Sequence, residues 1–233
     1  MGPVTNLKAI PIKDWRNNPS PKLSGKSLTL DKGENSLSLA IAPDGASFLI
    51  GGDYFLHLFD ESGVEIKSQA IPGAAWGVNI ARNGKVAIAA LGDGSVRWYS
   101  LVKGSELEEI AALFALADGN TWVSWTPEGF FSHSNNGGEK LIGYHFNHGK
   151  SKPPEFISIE QTYQTYYSPR LVSLKLQGDP TGEVAQRMKD FGNVSTVLTK
   201  KPVPKIDWVE YCITQNDSGN NCHPITTDVV TRD

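Results

Sequence analysis

The stretch SLSLAIAPDGASFLIGGDYFLHLFD, Ser36 to Asp60, decides the fold. Apolar residues alternate at Leu37, Leu39 and Ile41, break at Pro43-Asp44-Gly45 and resume from Ser47 to Ile50. The chain turns again at Gly52-Asp53 and runs through Leu56, Leu58 and Phe59. Strict alternation is the pattern of a half-buried strand, and a Pro/Asp/Gly cluster between two such runs marks a turn. VEIKSQAI, Val64 to Ile71, fits a fourth strand.

The same grammar recurs twice. AAWGVNIARNGKVAIAALGDGSVRWYS covers Ala74 to Ser100, and TWVSWTPEGFFSHSNNGGEKLIGYHFN covers Thr121 to Asn147. The first-turn glycines Gly45, Gly84 and Gly129 are spaced 39 and 45 residues apart. Later tight turns correspond at Gly52-Asp53, Gly92-Asp93 and Gly138-Glu139, and each third strand ends in aromatics. Four short strands in about 40 residues form the unit of a β-propeller, in which no unit buries its apolar face alone. WVSWTPEGFF, Trp122 to Phe131, therefore reads as packing surface and not as a ligand platform. Trp76, Trp98, Trp122, Trp125 and Tyr144 are the expected structural core, together with Phe130 and Phe131.

The segments SLAIAPDG, GVNIARNGKVAIAALGDGSVRWY and WVSWTPEGFF…GGEKLIGYHFN resemble the WD40-like repeats of bacterial proteins that join a propeller to a caspase-family (peptidase C14) domain. The resemblance runs from about Lys26 through Val172. It departs from the general WD40 pattern in lacking a Gly-His opening dipeptide, and Phe59-Asp60, Trp98-Tyr99 and Tyr144-His145 stand where that pattern has Trp-Asp. It implies a mainly β fold: a partial WD40-like β-propeller of about three blades, followed by short helices and a β-hairpin tail. It also implies a non-catalytic protein-interaction scaffold that positions or regulates a joined peptidase domain. Three units are too few to close a ring, which typically takes four to eight blades, so the chain is expected to be the C-terminal part of a longer propeller.

The expected organisation is an N-terminal segment and possible partial blade at 1–35, blades at 36–150, a helical linker at 151–192 and the start of an immunoglobulin-like β segment at 193–233. Ser168-Pro169 supplies an N-cap followed by proline at the first helical position, and Gly192 closes a helix spanning Asp179 to Gly192. KIDWVEYC and CHPITTDVV are expected to pair as a hairpin.

The 233 residues carry a net charge of −3, which gives no electrostatic reason to expect nucleic acid. No apolar run is long enough to span a membrane, and the N-terminus shows no secretory h-region, which favours the cytoplasm. Rigid rings bind through face loops, so the binding candidates are Asp53, Tyr54, Asp93, His133, Asn135 and Asn136. The partner class is a protein or the in-cis peptidase domain; no cofactor and no metal is expected. Cys212 and Cys222 flank ITQNDSGNN and form either a hairpin disulfide, as in a surface or envelope protein, or two free thiols. The alternative function is a cysteine hydrolase using His148 with Cys212 or Cys222, although neither cysteine lies in the acid-x-Cys-x-Gly setting of a caspase-type nucleophile.

Overall fold

The computed structural model describes residues 2–31, 33–104, 106–150, 152–192, 194, 197–198, 210–215 and 219–224. It divides into two units, Met1–Ser195 and Thr196–Asp233. The first unit is mainly β. It opens with a three-stranded ribbon of β1 (Ile12–Lys13), β2 (Lys22–Leu23) and β3 (Lys26–Ser27). The quoted stretch then forms a four-stranded antiparallel meander of β4 (Ser36–Ile41), β5 (Ser47–Gly52), β6 (Phe55–Asp60) and β7 (Glu65–Ala70). The second repeat forms another, from β8 (Ala75–Ile80), β9 (Val86–Leu91), β10 (Ser95–Ser100) and β11 (Glu108–Ala115).

The repeat is visible at its turns. Gly45 and Gly84 sit at φ +71° and +68°, their amides donate to Ala42 and Ala81, and Asp44 and Asn83 accept from the amides two residues on. That left-handed conformation costs glycine nothing and hinders any residue with a Cβ.

Both faces of the first sheet are covered, which is why Phe48-Leu49-Ile50 is apolar without a break. Leu39, Ile41, Phe48, Ile50 and Phe59 pack under Ile10, Ile12, Leu23 and Leu28 of the N-terminal ribbon, and the rings of Phe48 and Phe59 stack at 5.1 Å. Ala40, Leu49, Leu56 and Leu58 face Ala75, Val78, Ile80, Ala87 and Ala89 of the second sheet. Each large apolar side chain fully buried here contributes roughly 1.5–3 kcal/mol. The two sheets approach most closely at Gly51, where a Cβ would meet the Ser38 hydroxyl and Ala75.

The third repeat does not form a four-stranded sheet of its own. Its first strands, β12 (Trp122–Trp125) and β13 (Phe131–His133), extend the second sheet, whose order is β13-β12-β11-β10-β9-β8. The cause is local. Asp118-Gly119 makes a hairpin turn in which Asp118 accepts from the amides of Asn120 and Thr121 and from the Thr121 hydroxyl, and Gly119 lies at φ +70°. An Asp-Gly pair between two strands is a hairpin signal, so β12 pairs with β11. The remaining strands, β14 (Gly143–Phe146) and β15 (Glu155–Ser158), make a separate two-stranded sheet. Among the described residues the sheets do not close into a ring.

The expected aromatic core is corrected in the same region. Trp76 is 67% exposed, and Trp98, Trp122, Trp125 and Tyr144 are only half-buried. Trp76 sits at a register shift between Ala75 and Gly77. Such a bulge sends one residue out of the alternation. The fully buried aromatics from the second sheet onward are Tyr99, Phe130, Phe131 and Tyr166 among the described residues.

Short helices follow, among them α1 (Tyr163–Tyr166), α2 (Pro169–Leu176) and α3 (Glu183–Phe191). α2 starts as the sequence requires, with the Ser168 hydroxyl accepting from Leu171 N–H and Pro169 in the first turn; α3 is followed by Gly192 at φ +80°. No helix among the described residues is long and apolar enough to cross a membrane. The second unit is described through one hairpin, β16 (Glu210–Gln215) with β17 (Gly219–Pro224). Its backbone register sets Cys212 opposite Cys222. Whether their thiols join lies outside the described residues.

Candidate functional site

Register builds the site. Arg97 on β10 is paired with Ala112 on β11, Ala112 with Trp125 on β12, and Trp125 with Phe131 on β13. Directly opposed residues share a face of a sheet, so Arg97, Trp125 and Phe131 lie in one row. On β9 the same row holds Ala89, which packs against the first sheet. Beyond β10, Ile142 to Phe146 lie over the row instead and leave a cleft of about 590 Å3. That volume is within the usual range for ligand pockets, roughly 300–1,000 Å3.

The cleft is largely apolar. Trp125, Phe131, Tyr144 and Phe146 line it, together with Arg97, Glu109 and Thr126. The guanidinium of Arg97 lies 5.8 Å from the Trp125 ring centre, a cation–π distance. Its Nη1 donates to Glu109 at 2.8 Å, and its Nη2 lies 3.3 Å from Asp93. Burial opposes the Arg97 charge, but Glu109 outweighs it and raises the guanidinium pKa. Burial likewise raises the Tyr144 phenol, which stays neutral and donates to the Gly129 carbonyl at 3.4 Å. The Thr126 hydroxyl oxygen is buried without a hydrogen-bond partner, as are Glu128 Oε2 and His133 Nε2. All three lie in or beside the WTPEGFF stretch. That stretch thus has two roles: Phe130 fills the interior, while Trp125 and the buried Phe131 line a cleft.

The loop candidates do not converge on the cleft; those with partners bond within their own or an adjoining turn. Asp53 accepts from the backbone and side-chain amides of Asn35. Asp93 accepts from Ser95 and meets Arg97, and Asn136 donates to Thr121. Tyr54 is 59% exposed, and Asn135 is exposed. His133 stands among Phe131, Tyr163 and Tyr167, at ring separations of 6.3, 5.7 and 5.1 Å, with Nδ1 on the Ser134 carbonyl. His148 lies 3.7 Å from Glu155, and the thiols nominated beside it, Cys212 and Cys222, lie outside the side chains described.

A second cluster went unread in the sequence. His57 on β6 is 1% exposed, and both its ring nitrogens face carboxylates. Nε2 lies 2.8 Å from Glu34 Oε2 and Nδ1 lies 2.6 Å from Glu65 Oε1. The other Glu34 oxygen accepts from the amides of Tyr54 and Phe55, each at 2.8 Å. Asp31 completes a group whose ligand-type atoms, with those of Glu34 and His57, all lie within 4.8 Å of one another. The partners are 23 and 8 residues from His57 in the chain, too scattered for a spacing motif.

Compared with known proteins, the chain matches no family model and no curated protein.

Proposed function

We propose that the chain is a non-catalytic protein-interaction scaffold, built from WD40-like propeller blades, that holds an apolar segment of a protein partner in the Trp125 cleft. The partner class includes a caspase-like peptidase domain joined to it. One observation carries the reading: a cleft of about 590 Å3 walled by Trp125, Phe131, Tyr144 and Phe146, with the charge of Arg97 already neutralised by Glu109. Aromatic walls around a paired charge suit an extended peptide that inserts an apolar side chain and receives few polar contacts.

The test is selection of a displayed random-peptide library on the immobilised chain. Enriched peptides carrying an apolar anchor, with affinity reduced tenfold or more by Trp125→Ala and unchanged by Tyr54→Ala, support the reading. Selection of nothing, or peptides indifferent to Trp125→Ala, defeats it.

A further inference from the structure

We infer that Asp31, Glu34 and His57 form a binding site for one divalent metal ion of borderline softness, of the Zn2+ class. A turn brings the two carboxylates together: Glu34 N–H donates to the Asp31 carbonyl at 3.1 Å, and Gly33 lies at φ +83°. Glu34 then reaches the imidazole of His57 in the sheet interior, both residues being 1% exposed. Ligands bound to one zinc at about 2.0–2.2 Å lie within roughly 4 Å of each other. The observed spread of up to 4.8 Å requires only a small inward shift of the exposed Asp31.

The surroundings fit the same purpose. A metal-binding imidazole ordinarily has its second nitrogen held by a carboxylate, which fixes the ring and strengthens the ligand. Glu65 is so placed on Nδ1, 2.6 Å away, while Nε2 faces the carboxylate of Glu34. The amides of Tyr54 and Phe55 anchor Glu34 through its other oxygen. An opening of about 350 Å3, lined by Asp31, His57, Glu65 and Ser68, gives access.

The second sheet supplies an independent indication. Arg97 occupies on β10 the place of His57 on β6: Arg97 is opposite Ala89 and His57 opposite Ile50 in the strand before, and both strands have a bulge one residue further on. There a permanent cation stands between Asp93 and Glu109. In the first sheet the buried Glu34 carboxylate, with the exposed carboxylates of Asp31 and Glu65 nearby, meets an imidazole in place of a permanent cation, and a buried charge is costly unless it is paired. A divalent cation on Nε2 supplies what the guanidinium supplies in the second sheet. One imidazole with two carboxylates suits Zn2+ or its first-row neighbours, whereas Ca2+ and Mg2+ favour all-oxygen shells.

The test is calorimetric titration of Zn2+ into the full chain after chelator treatment, in a Cys212→Ser/Cys222→Ser background that removes the thiols. The expected result is one Zn2+ per chain, with no displacement by Ca2+. Asp31→Asn alters an exposed group and leaves the fold intact by circular dichroism, and it weakens binding tenfold or more. Glu65→Gln, one atom-for-atom change beyond the ligands, weakens it about 10- to 100-fold. Absence of saturable binding in this background, or full affinity in Asp31→Asn, overturns the site.

Discussion

The first and second sheets share a turn grammar and a strand order, yet they treat the same position of their third strand differently. In the first sheet His57 is enclosed, with Glu34 beneath it and Glu65 beside it. In the second, Arg97 is half-buried, held by Glu109 and Asp93, and turned toward an aromatic cleft. One scaffold position therefore serves in one copy as a buried polar cluster reached through a small opening, and in the next as a cleft wall. The difference follows from what lies over each face. The N-terminal ribbon covers β4 to β6 of the first sheet, so that His57 on β6 lies beneath it, whereas the first sheet covers the second only as far as β10, where Arg97 meets the cleft.

That contrast breaks most sharply at His57. His57→Ala leaves the Glu34 carboxylate buried without its partner, and equilibrium urea denaturation should show a loss of about 3–5 kcal/mol. The corresponding Arg97→Ala, whose partners can be rehydrated from the cleft, should cost about 1 kcal/mol. Equal losses would remove the distinction between the copies.

Between those values lies Gly51→Ala. Its added Cβ falls on the Ser38 hydroxyl and on Ala75 across the sheet interface, and overpacking of this kind costs about 1–3 kcal/mol. An unchanged midpoint in the same denaturation would show that the two sheets do not approach there.

The smallest effect belongs to Asp93. Burial raises its pKa, but hydrogen bonds from Ser95 and the charge and donor of Arg97 outweigh it, so the carboxyl lies below the ordinary aspartate value. A depressed carboxylate stabilises the fold above the unfolded pKa, about 3.9, and that contribution is lost as pH falls through the folded value. Asp93→Asn should therefore be less stable than the parent by under about 1 kcal/mol at pH 7. Stability curves for the two should converge in acid; a constant gap down to acid pH would assign the loss to packing.

Much of the β architecture was legible, because alternation and turn chemistry are local. Gly45, Gly84 and Gly129 all have positive φ, as their turns require. Ser168-Pro169 began a helix for the reason its residue types give. What failed depended on register. The bulge at Trp76 reverses which way one side chain faces, and nothing in WGVNI marks it. The Asp118-Gly119 turn was readable, but treating the third repeat as a copy of the first two masked its consequence. Trp125 was expected in the interior and walls a cleft, because its own strand continues the second sheet and β14 and β15 form a separate pair. The His57 cluster was beyond a linear reading: its second-sheet counterpart carries arginine, so the two copies share a charge pattern and not a residue pattern.

β11 has the most lasting consequence. It is the last strand of one repeat and, through its other edge, the hydrogen-bonding partner of the next. A border without a ladder holds its two sides by side-chain packing alone, whereas one within a sheet holds them by backbone hydrogen bonds as well. The border between β7 and β8, where one sheet ends and the next begins, is crossed by packed side chains, but the border at Thr121 cuts through a continuous sheet. Separating the third repeat from the second would therefore sever a hydrogen-bonded ladder, and β8 through β13 stand as one cooperative sheet.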